Sequence, residues 1–252
     1  MEIRILGSLA VTRGGQEREI ASARVRTVLA LLALPPGVPL PAAQLVDELW
    51  SGKPLGNARN ALHANITRLR KLLESVTGRK GDEVLRTVSG GYLLDVPKNC
   101  VDGYRFLDLA ERGAGKVQRH PAMAIELLEE ALRLWRGPAL LDVCDGARCR
   151  MEATHLNERR LSAREDLITA KLANGDQRGV VPELNLLTAQ YPERERLSEQ
   201  LMIALYRDGR QTEALDVFHH TRKRLASEMG LEPGRGMRQL YEAILVQDKV
   251  LG

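Results

Sequence analysis

Apolar residues recur with helical spacing along most of this chain, and with strand-like alternation only near its start and shortly before residue 97. Ile3 and Ile5 alternate with Arg4, and Leu9 and Val11 flank Ala10. That period of two predicts half-buried strands. Arg13-Gly14-Gly15-Gln16 is a turn signal. With Ser22 as N-cap, Val25, Val28, Leu29 and Leu32 form the stripe of a helix that reaches about Leu34 and is stopped by Pro35-Pro36-Gly37. Pro41 is expected in the first turn of a second helix, PAAQLVDELW, which ends near Trp50. Ser51-Gly52-Lys53-Pro54 then breaks the chain.

The most informative pattern follows. In ARNALHANITRLRKLL, residues 58–73, Leu62, Ile66, Leu69 and Leu73 share one face of a helix. At about 100° per residue, Asn60, Ala64, Thr67, Arg68 and Lys71 take the opposite face. That face carries no carboxylate until Glu74. Arg and Asn can pair with base edges in a DNA major groove and Lys can neutralise phosphate, so this surface suits such a groove. Two short strands are expected next, Val84–Val88 and Tyr92–Val96, joined by Ser89-Gly90-Gly91. Three helices with a basic third one, followed by a hairpin and opened by strands, predict a winged helix-turn-helix that closes at Pro97.

Beyond Asp102 the pattern is helical almost throughout, and it repeats. Leu167, Leu172, Gly175, Val180 and Leu184 recur 34 residues later as Leu201, Tyr206, Gly209, Ala214 and Phe218. This period, with Gly at the turn, is the tetratricopeptide pattern. Ala124, Leu128 and Ala131 give a weaker third match. The predicted fold is therefore mainly α with a small β component. A winged helix-turn-helix with an N-terminal antiparallel sheet occupies residues 1–98, and an all-α tetratricopeptide-like repeat domain occupies residues 99–252.

Charge sharpens the division. The 252 residues carry a net charge of +4. Residues 1–98 hold 14 Lys and Arg against 9 Asp and Glu, whereas residues 99–252 hold 23 against 24. A basic excess confined to the first part points to a polyanion there. Aromatic residues make up only 4% of the chain, which argues against stacking platforms for single strands. The three cysteines suit a reducing cytoplasm rather than a disulfide framework, and neither a signal peptide nor a membrane span is legible.

No GxxxxGK[ST] loop and no HExxH are present, so no enzyme is predicted and no cofactor is implied. Gly113-Ala114-Gly115 reads as a loop between helices. The spacing of Cys144, Cys149 and His155 fits neither a zinc finger nor a ribbon, so no metal is expected. His219-His220 reads as a solvated face, and Trp50 and Trp135 as core residues of the two domains.

Particular phrases carry a family resemblance. NITRLRKLLE and TVSGGY resemble the recognition helix and wing turn of OmpR-type DNA-binding domains. ALRLWRGPALLDV, ERRLSAREDLITAKLANGD, QLMIALYRDGRQTEALDVFHHTRKRLASEMGLEPG and LYEAIL resemble the bacterial transcriptional activator domain. Together the halves resemble a small member of the Streptomyces antibiotic regulatory proteins, without the ATPase and repeat regions of the large members. The resemblance implies a four-stranded N-terminal sheet and an activator of a secondary-metabolite gene cluster, located in the cytoplasm with the nucleoid. Its partners would be direct repeats in duplex DNA near the promoter −35 element, RNA polymerase and its sigma factor, and a second copy bound head to tail. Asn60, Ala64, Thr67 and Arg68 would face the bases. Asn57, Arg59, His63, Arg70 and Lys71 would meet phosphates, with Arg86 and Thr87 at the wing. Ser89 stands where many members carry a basic wing residue.

Two other function classes share these features: a protein–protein adaptor built on the repeats, and a regulator that senses a ligand in their concave face. A pure adaptor lacks salt-dependent affinity for duplex DNA. No receiver domain is legible before the winged helix, so control by phosphorylation of such a domain is not expected.

Overall fold

The computed structural model describes residues 1–50, 56–143 and 146–248. They divide into two compact units: Met1–Glu111 with Glu130–Leu161, and 112–129 with the chain from Ser162 onward. Among the described residues, no helix is long and apolar enough to cross a membrane.

In the first unit, β1 (Glu2–Arg4), β2 (Ala10–Arg13) and β3 (Gln16–Glu19) form an antiparallel sheet in that order, with Ile3 opposite Val11 and Val11 opposite Arg18. It has three strands, not the four that the resemblance implies. Ile5 leaves β1 for a loop, where the Asp102 carboxylate accepts the N–H of Ile5 at 2.7 Å and of Leu6 at 3.3 Å. α1 (Ala23–Ala33) follows, and every residue from Thr27 to Ala33 is buried. Ser22 holds the N-cap position, but its side chain makes no cap hydrogen bond.

Pro41 departs from the expected helix start. Leu40–Pro41 is a short strand, β4, and the second helix, α2, spans Ala42–Trp50. A proline has no N–H to donate, which suits an edge strand as well as a first helical turn. The break predicted at residues 51–54 lies outside the described residues. α3 runs Ala58–Thr77, a turn beyond the expected end. It stops at Gly78, whose φ of 69° only glycine adopts readily and whose N–H bonds Glu74 O.

A single turn of helix, α4 (Gly81–Val84), takes Val84, the residue expected to begin the wing. The wing is β5 (Leu85–Val88) and β6 (Gly91–Leu94), and the second strand ends two residues before the expected Val96. β6 is the middle strand of a β4-β6-β5 sheet, and all four of its residues are buried. Leu62, Ile66, Leu69 and Leu73 of α3 are all buried, so the stripe read from the sequence is the core-facing side.

A short 3-10 turn at Lys98–Cys100 leads to α5 (Asp102–Ala114). Gly113 and Ala114 are thus the end of a helix, with Gly113 against Leu128, and only Gly115 lies in the turn. α6 (Pro121–Arg133) and α7 (Ala147–Ala173) follow, and α5, α6 and α7 each contribute residues to both units. Trp135 packs within the first unit, edge-on to Phe106 at 5.1 Å, so both tryptophans lie in that unit.

The second unit displays the repeat. α7 ends at Ala173 and α9 (Glu195–Arg207) ends 34 residues later, while α8 (Gln177–Gln190) and α10 (Gln211–Met229) begin 34 residues apart. The turn glycines Gly175 and Gly209 have φ of 86° and 79°. Leu167, Leu172, Val180 and Leu184 are buried, as are Leu201, Ala214 and Phe218, while Tyr206 is half-buried. α11 (Arg235–Leu245) closes the unit, with Tyr241 stacked on Phe218 at 4.1 Å. His219 and His220 are exposed, and His219 meets the Tyr241 ring edge-on. Among the described residues no cluster of three His, Cys, Asp or Glu could hold a metal; Cys144 lies outside them.

Candidate nucleic-acid interface

α3 needs its apolar stripe to sit on the core, and that requirement aims its other face outward. Asn60, Ala64, Thr67, Arg68 and Lys71 are all exposed, as are Asn57, Arg59 and His63 in the first two turns. No acidic residue occupies the first turn, so the positive end of the helix dipole and the cationic side chains add. Asn57 is the N-cap residue, but its side chain makes no capping bond. The Thr67 hydroxyl donates to His63 O at 3.0 Å, which holds it against its own helix. Asn65, inside the recognition phrase, is buried and belongs to the core side.

The wing stands beside this face. Arg86 and Thr87 on β5 are exposed, and so are Ser89 and Gly90 at the turn. Gly90 has φ of 75°, as the turn requires. Gly91 is needed for another reason: a Cβ there would collide with Leu40 O of β4. Arg86 pairs with Asp95 at 3.2 Å, which offsets part of the wing's charge, although both side chains are about half exposed.

Arg70 differs from the other proposed phosphate contacts. It is half-buried, its Nε donates to Leu85 O at 2.9 Å, and its Nη2 donates to Thr87 Oγ1 at 2.8 Å. It therefore ties α3 to β5. A second tie lies seven residues earlier on the helix, where the Tyr92 hydroxyl meets His63 Nδ1 at 3.0 Å. Burial pushes the Tyr92 phenol above its ordinary value, and the nearby Arg70 charge opposes that shift. The sequence places Tyr92 at the wing turn and the start of its second strand but gives its side chain no functional role. The available signal is an aromatic residue directly after Gly90-Gly91, on the strand that packs beside α3.

The arrangement offers cationic and amide donors on one helix face and a hairpin at its flank. That set can contact phosphates and base edges together.

The bacterial transcriptional activator domain family matches residues 101–245, and the family described as transcriptional regulatory protein, C terminal, matches residues 16–94. The transcriptional regulator RedD of Streptomyces coelicolor is 46% identical over 252 residues, covering 100% of this chain and 72% of RedD. The regulatory protein DnrI of Streptomyces peucetius is 39% identical, covering 98% of this chain and 93% of DnrI. Among solved structures, EmbR of Mycobacterium tuberculosis, in complex with a low-affinity phosphopeptide, superposes with a TM-score of 0.92 at 34% identity. That match covers 98% of this chain and 65% of the EmbR chain.

Proposed function

This chain belongs to the family of Streptomyces antibiotic regulatory proteins and is a transcriptional regulator, and from that premise we propose that it activates a secondary-metabolite gene cluster by binding direct repeats in promoter DNA. The exposed cationic face of α3, free of carboxylates up to Glu74 and flanked by a wing, carries the reading. α3 enters the major groove with Arg68 as the leading base contact and Asn60 and Thr67 beside it. Ala64 lets the helix backbone approach the bases. Asn57, Arg59, His63, Arg70 and Lys71 hold the sugar–phosphate backbone, with Arg86 and Thr87 from the wing. The protein acts by binding, without a cofactor or metal, in the cytoplasm on the nucleoid.

Direct repeats follow from geometry. Two copies bound head to tail must sit about one helical turn, 10–10.5 bp, apart to reach the same face of the duplex. Such pairing uses two different surfaces of the protein. Residues 1–98 are the DNA-binding part, and residues 99–252 supply the pairing surfaces and the contacts to RNA polymerase and sigma factor near the −35 element.

Footprinting of the full chain on genomic duplex fragments across a salt series tests the reading. Protected direct repeats one turn apart, with affinity that falls steeply with salt, are expected. Absent or salt-independent binding refutes it. Within that assay, Arg68→Ala should lose about 1–3 kcal/mol on the preferred site and relax sequence preference, whereas Lys71→Ala should weaken all duplexes alike and lower the salt slope by about one. An activator role for residues 99–252 fails if residues 1–98 alone activate transcription as well as the whole chain.

A further inference from the structure

α3 and the wing flank a cleft of about 320 Å³, lined in part by Arg59, His63, Thr87 and Tyr92 and, among the described residues, by no carboxylate. Arg59 and His63 stand one helical turn apart, so they enter the cleft from the same side. Thr87 faces them from the wing. Its oxygen accepts from Arg70, which leaves its own hydrogen to donate elsewhere. Among the described residues the lining thus sets the donors of Arg59, His63 and Thr87 among apolar and glycine neighbours such as Leu62, Val88 and Gly91, with no carboxylate.

Tyr92 decides how His63 takes part. Tyr92 is only 3% exposed, and its ring meets the imidazole edge-on, with centroids 6.2 Å apart. The hydroxyl lies 3.0 Å from Nδ1. The phenol can donate its hydrogen to an unprotonated Nδ1. An imidazole that accepts at Nδ1 carries its proton on Nε2. His63 as a residue is exposed.

Building on the DNA-binding reading, we propose that Tyr92 is a positioning residue for DNA: its hydroxyl holds the His63 ring so that Nε2–H and the Arg59 guanidinium together grip one backbone phosphate seated in the cleft. Arg59 supplies the charge, and His63 supplies a directed hydrogen bond. Tyr92 never touches the DNA.

The two contributions separate in a salt series, because only the charged contact releases a counterion. The test measures affinity of the full chain for a duplex it selects from a random-sequence pool, together with the melting temperature of each variant. Arg59→Ala should lower the salt slope by about one. His63→Ala and Tyr92→Phe should each weaken binding roughly 3- to 10-fold with the slope unchanged. The double variant should bind no more weakly than His63→Ala. His63→Gln, whose amide nitrogen can reach the place of Nε2, should recover most of the loss and become insensitive to Tyr92→Phe. Wild-type affinity in Tyr92→Phe, or losses that add in the double variant, overturns the proposal. A purely structural Tyr92 would lower the melting temperature and weaken the His63→Gln background equally. Should Tyr92→Phe fail to fold, wild-type affinity in His63→Ala overturns the proposal on its own. Absence of salt-dependent binding by the unaltered protein is a separate result, seen before any variant is compared, and it removes the DNA reading itself.

Discussion

Replacing Asp102 by asparagine should change the pH dependence of stability, and the structure sets both sign and size. Asp102 opens α5, is 2% exposed, and accepts the N–H groups of Ile5 and Leu6, with Arg136 Nη2 at 3.9 Å. Burial outweighs those two hydrogen bonds and the Arg136 charge, and it raises the carboxyl from 3.8 to about 6. The folded protein therefore holds a proton between those values that the unfolded chain has released. Stability from this group is full below about pH 4 and falls as pH rises through about 6. A shift of about two units at 1.36 kcal/mol each makes the total about 3 kcal/mol. The substituted amide does not titrate. It keeps one acceptor for Ile5 but turns its NH₂ toward the Leu6 N–H, a pH-independent cost of about 1–2 kcal/mol. Asp102→Asn should accordingly be the less stable form near pH 4 and the more stable form near pH 7.5. Urea unfolding of the full chain, followed by tryptophan fluorescence, measures this in the right place. Both tryptophans, Trp50 and Trp135, lie in the same compact unit as Asp102. Subtracting the wild-type curve from the variant curve cancels the other carboxylates. A stability difference that stays constant with pH, or one that turns toward wild type as pH rises, refutes the reasoning.

Gly91→Ala should disrupt the β4–β6 pairing and cost about 2–4 kcal/mol in urea unfolding, because its Cβ would strike Leu40 O. Gly90→Ala meets no atom and should cost only the about 1–2 kcal/mol of a left-handed residue; equal losses would refute the steric argument. Arg70→Ala should speed amide exchange in β5 and lower the salt slope for DNA by less than Lys71→Ala does, since two of its donors go to the wing. An equal drop in slope with unchanged exchange would make Arg70 a phosphate contact alone. A fragment of residues 1–98 should melt below one of residues 1–161. It loses the Asp102 acceptor for Ile5 and Leu6, the Ile3–Val101 bridge, and the Tyr104 hydroxyl bond to Leu34 O. Equal melting temperatures would show those contacts to be idle.

Local patterns were legible wherever a residue's role depends on its own element. The α3 stripe of Leu62, Ile66, Leu69 and Leu73 follows from helical periodicity, and so does the outward set of Asn60, Thr67, Arg68 and Lys71. The repeat also came through, because Gly175 and Gly209 answer to a backbone conformation that local sequence requires. Errors gathered where a distant segment decides. Pro41 suits a helix start by itself, but β6 recruits Leu40 and Pro41 as an edge strand. Val84 and Val96 continue a strand pattern, yet the observed β5 and β6 are shorter at those ends.

Periodicity, turn chemistry and charge thus determined, from the sequence alone, that a winged helix with a cationic face precedes a helical repeat, because each of these depends on residues a few positions apart. Tertiary structure alone decided that Arg70 and Tyr92 join α3 to the wing, and that Asp102 holds the loop after β1. Those roles rest on hydrogen-bond partners 17, 29 and 97 residues away. A directional bond between such distant groups has no period to leave in the chain. It exists only once the core has packed and brought donor and acceptor within about 3 Å.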